Sequence, residues 1–195
     1  MKHWEKDLPA GYREAMTIDA KSDKKLIVKM TLASLAVLVV FLALAVLWQG
    51  KRMLAEPMPL RLALGFWIAL IAYLVLHELV HGAAYKLLTG QKLTFGLTLS
   101  VAFCGVPEIY VYRKASLIAV LAPFVVFNIV GVVLLAAFPG AWARFFTLIF
   151  LGLHIGGCAG DLYNTWLYLT RFQDPRTLTN DTGPVQTFYV PERDM

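Results

Sequence analysis

His77-Glu78-Leu79-Val80-His81 places two imidazoles and a carboxylate side by side in a stretch apolar enough to cross a membrane. Histidines four apart lie above one another on a helix, because about 3.6 residues per turn return position i+4 to nearly the same face. Both rings can then bind one divalent cation. The glutamate after the first histidine projects near that cation and can take the proton of a water it activates, which is the mechanics of metal-assisted hydrolysis in an H-E-x-x-H arrangement. Ionisable side chains are costly inside a lipid-crossing helix, and a zinc ion would supply the reason for them. The plainer reading is a histidine pair satisfied by neighbouring helices, with Glu78 reaching toward the surface.

The elements that must position these residues follow from composition. Of 195 residues, 58% are hydrophobic and 16% charged, the balance of a polytopic membrane protein rather than a water-soluble domain. Four stretches can span about 30 Å of hydrocarbon at about 1.5 Å per residue: 26–48, 60–88, 115–138 and 145–169. The fold class expected is an all-α polytopic membrane protein, with about four transmembrane helices and a short β-hairpin between the second and third. The first span is too long, and follows too much charged sequence, to read as a cleaved leader. Fourteen of the eighteen Lys and Arg fall on the side of the two termini, which are therefore expected in the cytoplasm of a multi-pass, bacterial cell-membrane protein. Residues 1–25 are expected as a cytoplasmic N-terminal segment, in part helical, 26–169 as the membrane domain and 170–195 as a cytoplasmic tail.

The net charge of +5 follows from that asymmetry, and the aromatic-interleaved basic patch of a nucleic-acid binder is missing. Two cysteines, Cys104 and Cys158, imply no disulfide framework. Asn180-Asp181-Thr182 has the form of a glycosylation sequon, which a cytoplasmic tail would leave silent.

Between the second and third spans the period changes from helix to strand. Leu93, Phe95, Leu97, Leu99, Val101 and Phe103 alternate with small or polar residues, Cys104 to Pro107 reads as a turn, and Ile109 to Tyr112 as a return strand. A hairpin over 93–112 is expected. Its open edges must be shielded by protein, reach water or pair with another strand.

Catalytic zinc usually takes three protein ligands and leaves a fourth position for water. The second span reaches His77 seventeen residues after Leu60, and the fourth reaches Asp161 seventeen after Arg144. At about 1.5 Å per residue these groups share a plane about 25–30 Å from the outer boundary, so Asp161 is the expected third ligand. His154 lies on the same face about 10 Å higher, an alternative ligand if the helix breaks and otherwise a polar residue held by another helix. Cys158 ranks third. Glycines at 152, 156, 157 and 160 give the fourth span a small-residue face for close helix approach. Asn128, five residues after Pro123, either contacts substrate or its oxyanion or ties two helices together.

Together these residues carry a resemblance. The histidine motif in a second span, Ala122-Pro123 with Asn128 in a third and Gly160-Asp161 in a fourth resemble the small polytopic proteins called putative zincin peptidases, which in turn resemble site-2 intramembrane proteases. The likeness covers roughly 60–170. It implies zinc held by His77, His81 and Asp161, with Glu78 as general base in peptide hydrolysis. In site-2 proteases the aspartate usually precedes a glycine, whereas Gly160 precedes Asp161 here and Leu162 follows. Those proteases also carry a membrane-embedded hairpin beside the site, to which the 93–112 segment is similar.

The expected substrate is a membrane protein or peptide, unwound in the lipid bilayer and bound by strand addition to the hairpin. The competing class is a non-enzymatic metal-binding or metal-transport protein. A conduit should offer polar residues at several depths, and the first and third spans offer almost none.

Overall fold

The computed structural model describes residues 2–19, 22–97 and 102–192. Among the described residues five helices form, the longest along runs rich in Leu, Val and Ala. They are α1 (Lys24–Ala55), α2 (Leu60–Thr89), α3 (Arg113–Ala137), α4 (Ala141–Gly157) and α5 (Ala159–Thr170). Three, α1 to α3, are long and apolar enough to cross a membrane, and α4 with α5 makes a fourth span if the two count as one. Their flanks carry exposed Leu35, Val39, Leu47, Trp67, Ile68 and Ile71, an outward surface suited to hydrocarbon rather than water.

The expected single helix over 145–169 is corrected: it breaks at Cys158, whose backbone N–H turns back to the carbonyls of Gly156 and His154. Gly156 and Gly157 supply the weak point, since glycine lowers helix propensity most among residues other than proline.

The all-α expectation is also corrected, because seven strands accompany the helices among the described residues. Trp4–Glu5 (β1), Tyr12–Asp19 (β2), Tyr110–Tyr112 (β5), Leu178–Asp181 (β6) and Val185–Pro191 (β7) form one antiparallel sheet in the order β1-β5-β6-β7-β2. The polar N-terminal segment, read from composition as in part helical, is thus extended. β2 and β7 pair from Tyr12 opposite Pro191 to Asp19 opposite Val185, with a bulge between Glu14 and Met16. Burial explains the pairing: Ile18 and Phe188 share a core with Leu167, Tyr168 and Phe172, which neither terminal segment could form alone.

The 93–112 hairpin is corrected in its connectivity. Thr94–Leu97 (β3) pairs with Ala102–Gly105 (β4), Phe95 opposite Cys104. The turn expected at Cys104 to Pro107 therefore does not reverse this pair, and the expected positions of Leu99 and Val101 lie outside the described residues. The supposed return strand, β5, pairs instead with β1 and β6. Alternation assigns faces to a strand but does not say where the chain turns back.

The chain divides into two units, each with its own packing. One, Met1–Ile27, Leu76–Ala122 and Asp161–Met195, holds both sheets. A core of Tyr85, Val106, Ile109, Val111, Ala115 and Ala119 joins the end of α2 to β5 and the start of α3. Arg113 ties that start to α5, its Nε and Nη2 donating to the Tyr168 carbonyl at 3.1 and 2.9 Å.

The other unit, Val28–Val75 and Pro123–Gly160, is helical. Within it the small-residue face of α4 meets α1: a Cβ on Gly152 would lie 2.6 Å from Phe41 Cβ, and one on Gly156 2.8 Å from the Ser34 carbonyl oxygen. Ser34 Oγ donates to the Gly156 carbonyl at 2.6 Å.

Candidate metal centre

Helix α2 presents His77, His81 and Tyr85 at successive i+4 positions, one stripe facing the unit that holds the sheets. The two imidazoles pack edge to face with centroids 5.0 Å apart. Asp161 meets both: its Oδ2 lies 3.3 Å from His77 Nε2 and 3.5 Å from His81 Nε2. One ligand atom from each residue falls within 4.8 Å of the others. Because α5 restarts after the break at Cys158, Asp161 occupies the first turn of a helix, where the macrodipole favours a carboxylate.

The donor set fits zinc. His81 Nδ1 sits 2.8 Å from the Ala119 carbonyl, which can only accept, so Nδ1 carries the proton and Nε2 keeps its lone pair toward Asp161 and His77. Two imidazole nitrogens and a carboxylate oxygen are a usual catalytic set, with a fourth position for water. His81 is 8% exposed, so the site is shielded without being sealed.

The strand side also reaches Glu78, with the backbone of Cys104 in β4 beside its carboxylate. Gly82, directly after His81, lets the hairpin lie on α2: a Cβ there would stand 2.6 Å from Phe95 Cζ and 3.2 Å from Leu93 Cδ1. The motif helix and β4 are thus packed against each other around Glu78.

A family model described as "putative zincin peptidase" matches residues 70–174, more than half of the chain. The chain belongs to the putative zincin peptidase family. No curated protein matches it, and no solved structure does. Zinc and peptide hydrolysis are what the family's description implies, and the matched residues of the chain include His77, Glu78, His81 and Asp161.

The remaining candidates lie in the helical unit. His154, wholly buried, has Nδ1 2.8 Å from the Tyr73 hydroxyl and Nε2 3.3 Å from Asn128 Nδ2 and 3.4 Å from the Phe124 carbonyl. Asn128 donates to the Phe124 carbonyl at 2.7 Å, and Cys158 Sγ lies 3.6 Å from His154 Nδ1. These contacts join α2, α3 and α4 within that unit.

Sequence reading missed Tyr85 and Asp181. The first was accessible from its i+4 spacing after His81, whereas nothing in the tail marked the second. The Tyr85 hydroxyl donates to Asp181 Oδ2 at 2.7 Å. Burial holds the Asp181 carboxyl up to about 6, against donors from Tyr85, Gly183 and Gln186 that favour its charged form. The folded chain then binds this proton more tightly than the unfolded one. The associated stability is fully present below the ordinary value of 3.8 and is lost as pH rises through about 6. Thermal unfolding in detergent between about pH 4.5 and 7 should therefore show the parent losing ground to Asp181→Asn as pH rises; parallel curves would refute the assignment.

Proposed function

We propose that the chain is a membrane-embedded zinc peptidase that hydrolyses peptide bonds of membrane proteins or peptides. The observation that carries this reading is the convergence of His77 Nε2, His81 Nε2 and Asp161 Oδ2, one residue away from a carboxylate that takes no ligand position. His77, His81 and Asp161 would hold the metal. When bound there, zinc supplies Lewis acidity toward water and the substrate carbonyl.

The residues of the chain do the rest. Glu78 accepts the proton of the attacking water and returns it to the leaving amine. The Cys104 backbone, beside the Glu78 carboxylate, keeps it oriented for both transfers. The Ala119 carbonyl fixes the tautomer of His81 throughout. An extended substrate can add to the β3–β4 sheet, whose two strands each have one partner among the described residues; β5 has β1 and β6 on its two sides and offers no edge. Strand addition also solves a problem of the substrate, since carbonyls in an intact transmembrane helix are hydrogen-bonded and sheathed. The Lys and Arg asymmetry favours cytoplasmic termini, and a site near the cytoplasmic boundary would have water at hand.

The test is withdrawal of metal from the purified protein in detergent or proteoliposomes. Chelation should lower cleavage of a membrane-protein substrate on the order of 10³-fold or more, as expected when a Lewis acid worth several kcal/mol is removed, and zinc should restore it. Cleavage unaffected by chelation, with zinc content measured at zero, would defeat the proposal.

A further inference from the structure

The β6–β7 hairpin lies beyond the residues that match the family, yet its turn grips both elements that meet at Glu78. Asp181, 3% exposed, ends β6. Its Oδ1 accepts the Gly183 N–H at 2.8 Å, the ordinary bond of such a turn. The turn does not account for Oδ2, which accepts the Tyr85 hydroxyl at 2.7 Å and Gln186 Nε2 at 3.1 Å. The main chain of Asp181 reaches a second element: its carbonyl accepts the Val106 N–H at 2.7 Å, directly after β4. The approach there is close enough that a Cβ on Gly105 would lie 2.7 Å from the Thr182 carbonyl carbon and 2.8 Å from the Asp181 oxygen. One residue thus holds the motif face of α2 through its side chain and the end of β4 through its backbone.

We propose that Asp181 is a positioning residue for Glu78: by tying Tyr85 to Val106 it fixes the α2–β4 spacing that sets the Cys104 backbone against the Glu78 carboxylate. The inference rests on the reading of Glu78 as the base. It makes the tail hairpin part of the working site without contact to substrate or metal. Relaxing the tie lets β4 lift, and Glu78 then loses its strand neighbour while His77, His81 and Asp161 keep their places.

The experiment uses the full chain, loaded with zinc in detergent, and two variants. Tyr85→Phe removes the bond to Oδ2 and leaves the Asp181 charge in place, and Gly105→Ala pushes β4 off the turn. Zinc content, kcat, KM and maleimide labelling of Cys104 and Cys158 are measured, the two thiols being separated by peptide mapping. Burial, with the Asp181 and Glu78 charges, pushes the Cys104 thiol up to about 12, so labelling is slow while β4 stays docked.

Both variants should keep zinc and KM, lose about 10- to 100-fold in kcat, the usual scale for a residue acting through another, and label faster at Cys104 alone. Unchanged kcat and Cys104 labelling in both overturns the proposal. Equal acceleration at Cys104 and Cys158 with loss of zinc also overturns it, since that is general loosening of the fold. A zinc-loaded parent that cleaves nothing defeats the peptidase reading instead, and Cys104 labelling then still decides whether the tie exists.

Discussion

Glu78→Gln should lose peptide hydrolysis by about 10²–10⁴-fold or more while binding zinc as the parent does. Glutamine has nearly the shape of glutamate, so the packing between α2 and β4 beside Cys104 survives. It cannot take a proton from water at neutral pH. Among the described residues of the unit no other carboxylate is free to replace it: Asp161 faces both imidazoles, and Asp181 is occupied by Tyr85 and Gln186. The measurement is single-turnover cleavage of a membrane substrate beside metal analysis of the same preparation. Retained cleavage would remove Glu78 from the mechanism. A metal-binding or transport protein would instead keep its zinc flux or zinc response in this variant, so the same substitution separates the two classes.

Asp161→Ala should take the zinc content from near one per chain to well below it. Structural zinc sites with four ligands gain roughly 10–16 kcal/mol in all, so one of three protein ligands is worth a few kcal/mol, on the order of 10²-fold or more in affinity. The effect should exceed that of His154→Gln. Asp161 Oδ2 is within 3.5 Å of both motif imidazoles, whereas His154 spends its nitrogens on Tyr73, Asn128 and the Phe124 carbonyl. Metal analysis of both variants after equilibration in a zinc buffer decides between them. Zinc lost from His154→Gln and kept by Asp161→Ala would reverse the assignment of the third ligand.

How far such outcomes could be foreseen from residues alone differs between parts of the chain. The three long apolar helices were legible because such a run has few alternatives: it is long enough to cross a bilayer, where a backbone can bond only to itself. The His77, Glu78 and His81 constellation was legible because four residues along a helix return to one face whatever surrounds it. Asp161 was reached by counting residues along two runs that cross the membrane in the same direction, each seventeen residues from its outer end. That argument assumed an unbroken fourth span, and the structure reaches the same meeting through a helix restarted after Cys158.

The sheets were hidden for a different reason. β2 and β7 are short and carry polar residues, and each becomes a strand only because the other lies beside it across more than 160 residues of sequence. No local signal encodes such a partner. The same holds for Asp181, an ordinary turn aspartate until Tyr85 and Val106 are brought to it.

By itself the sequence determined which groups can do chemistry and which segments favour lipid, since periodicity and hydrophobicity act over a few turns of chain. Tertiary structure alone decided how Asp161 reaches the imidazoles past the break at Cys158, which strand lies beside Glu78 and what anchors that strand. Those are contacts between distant segments, and their free energy exists only once the intervening chain has folded.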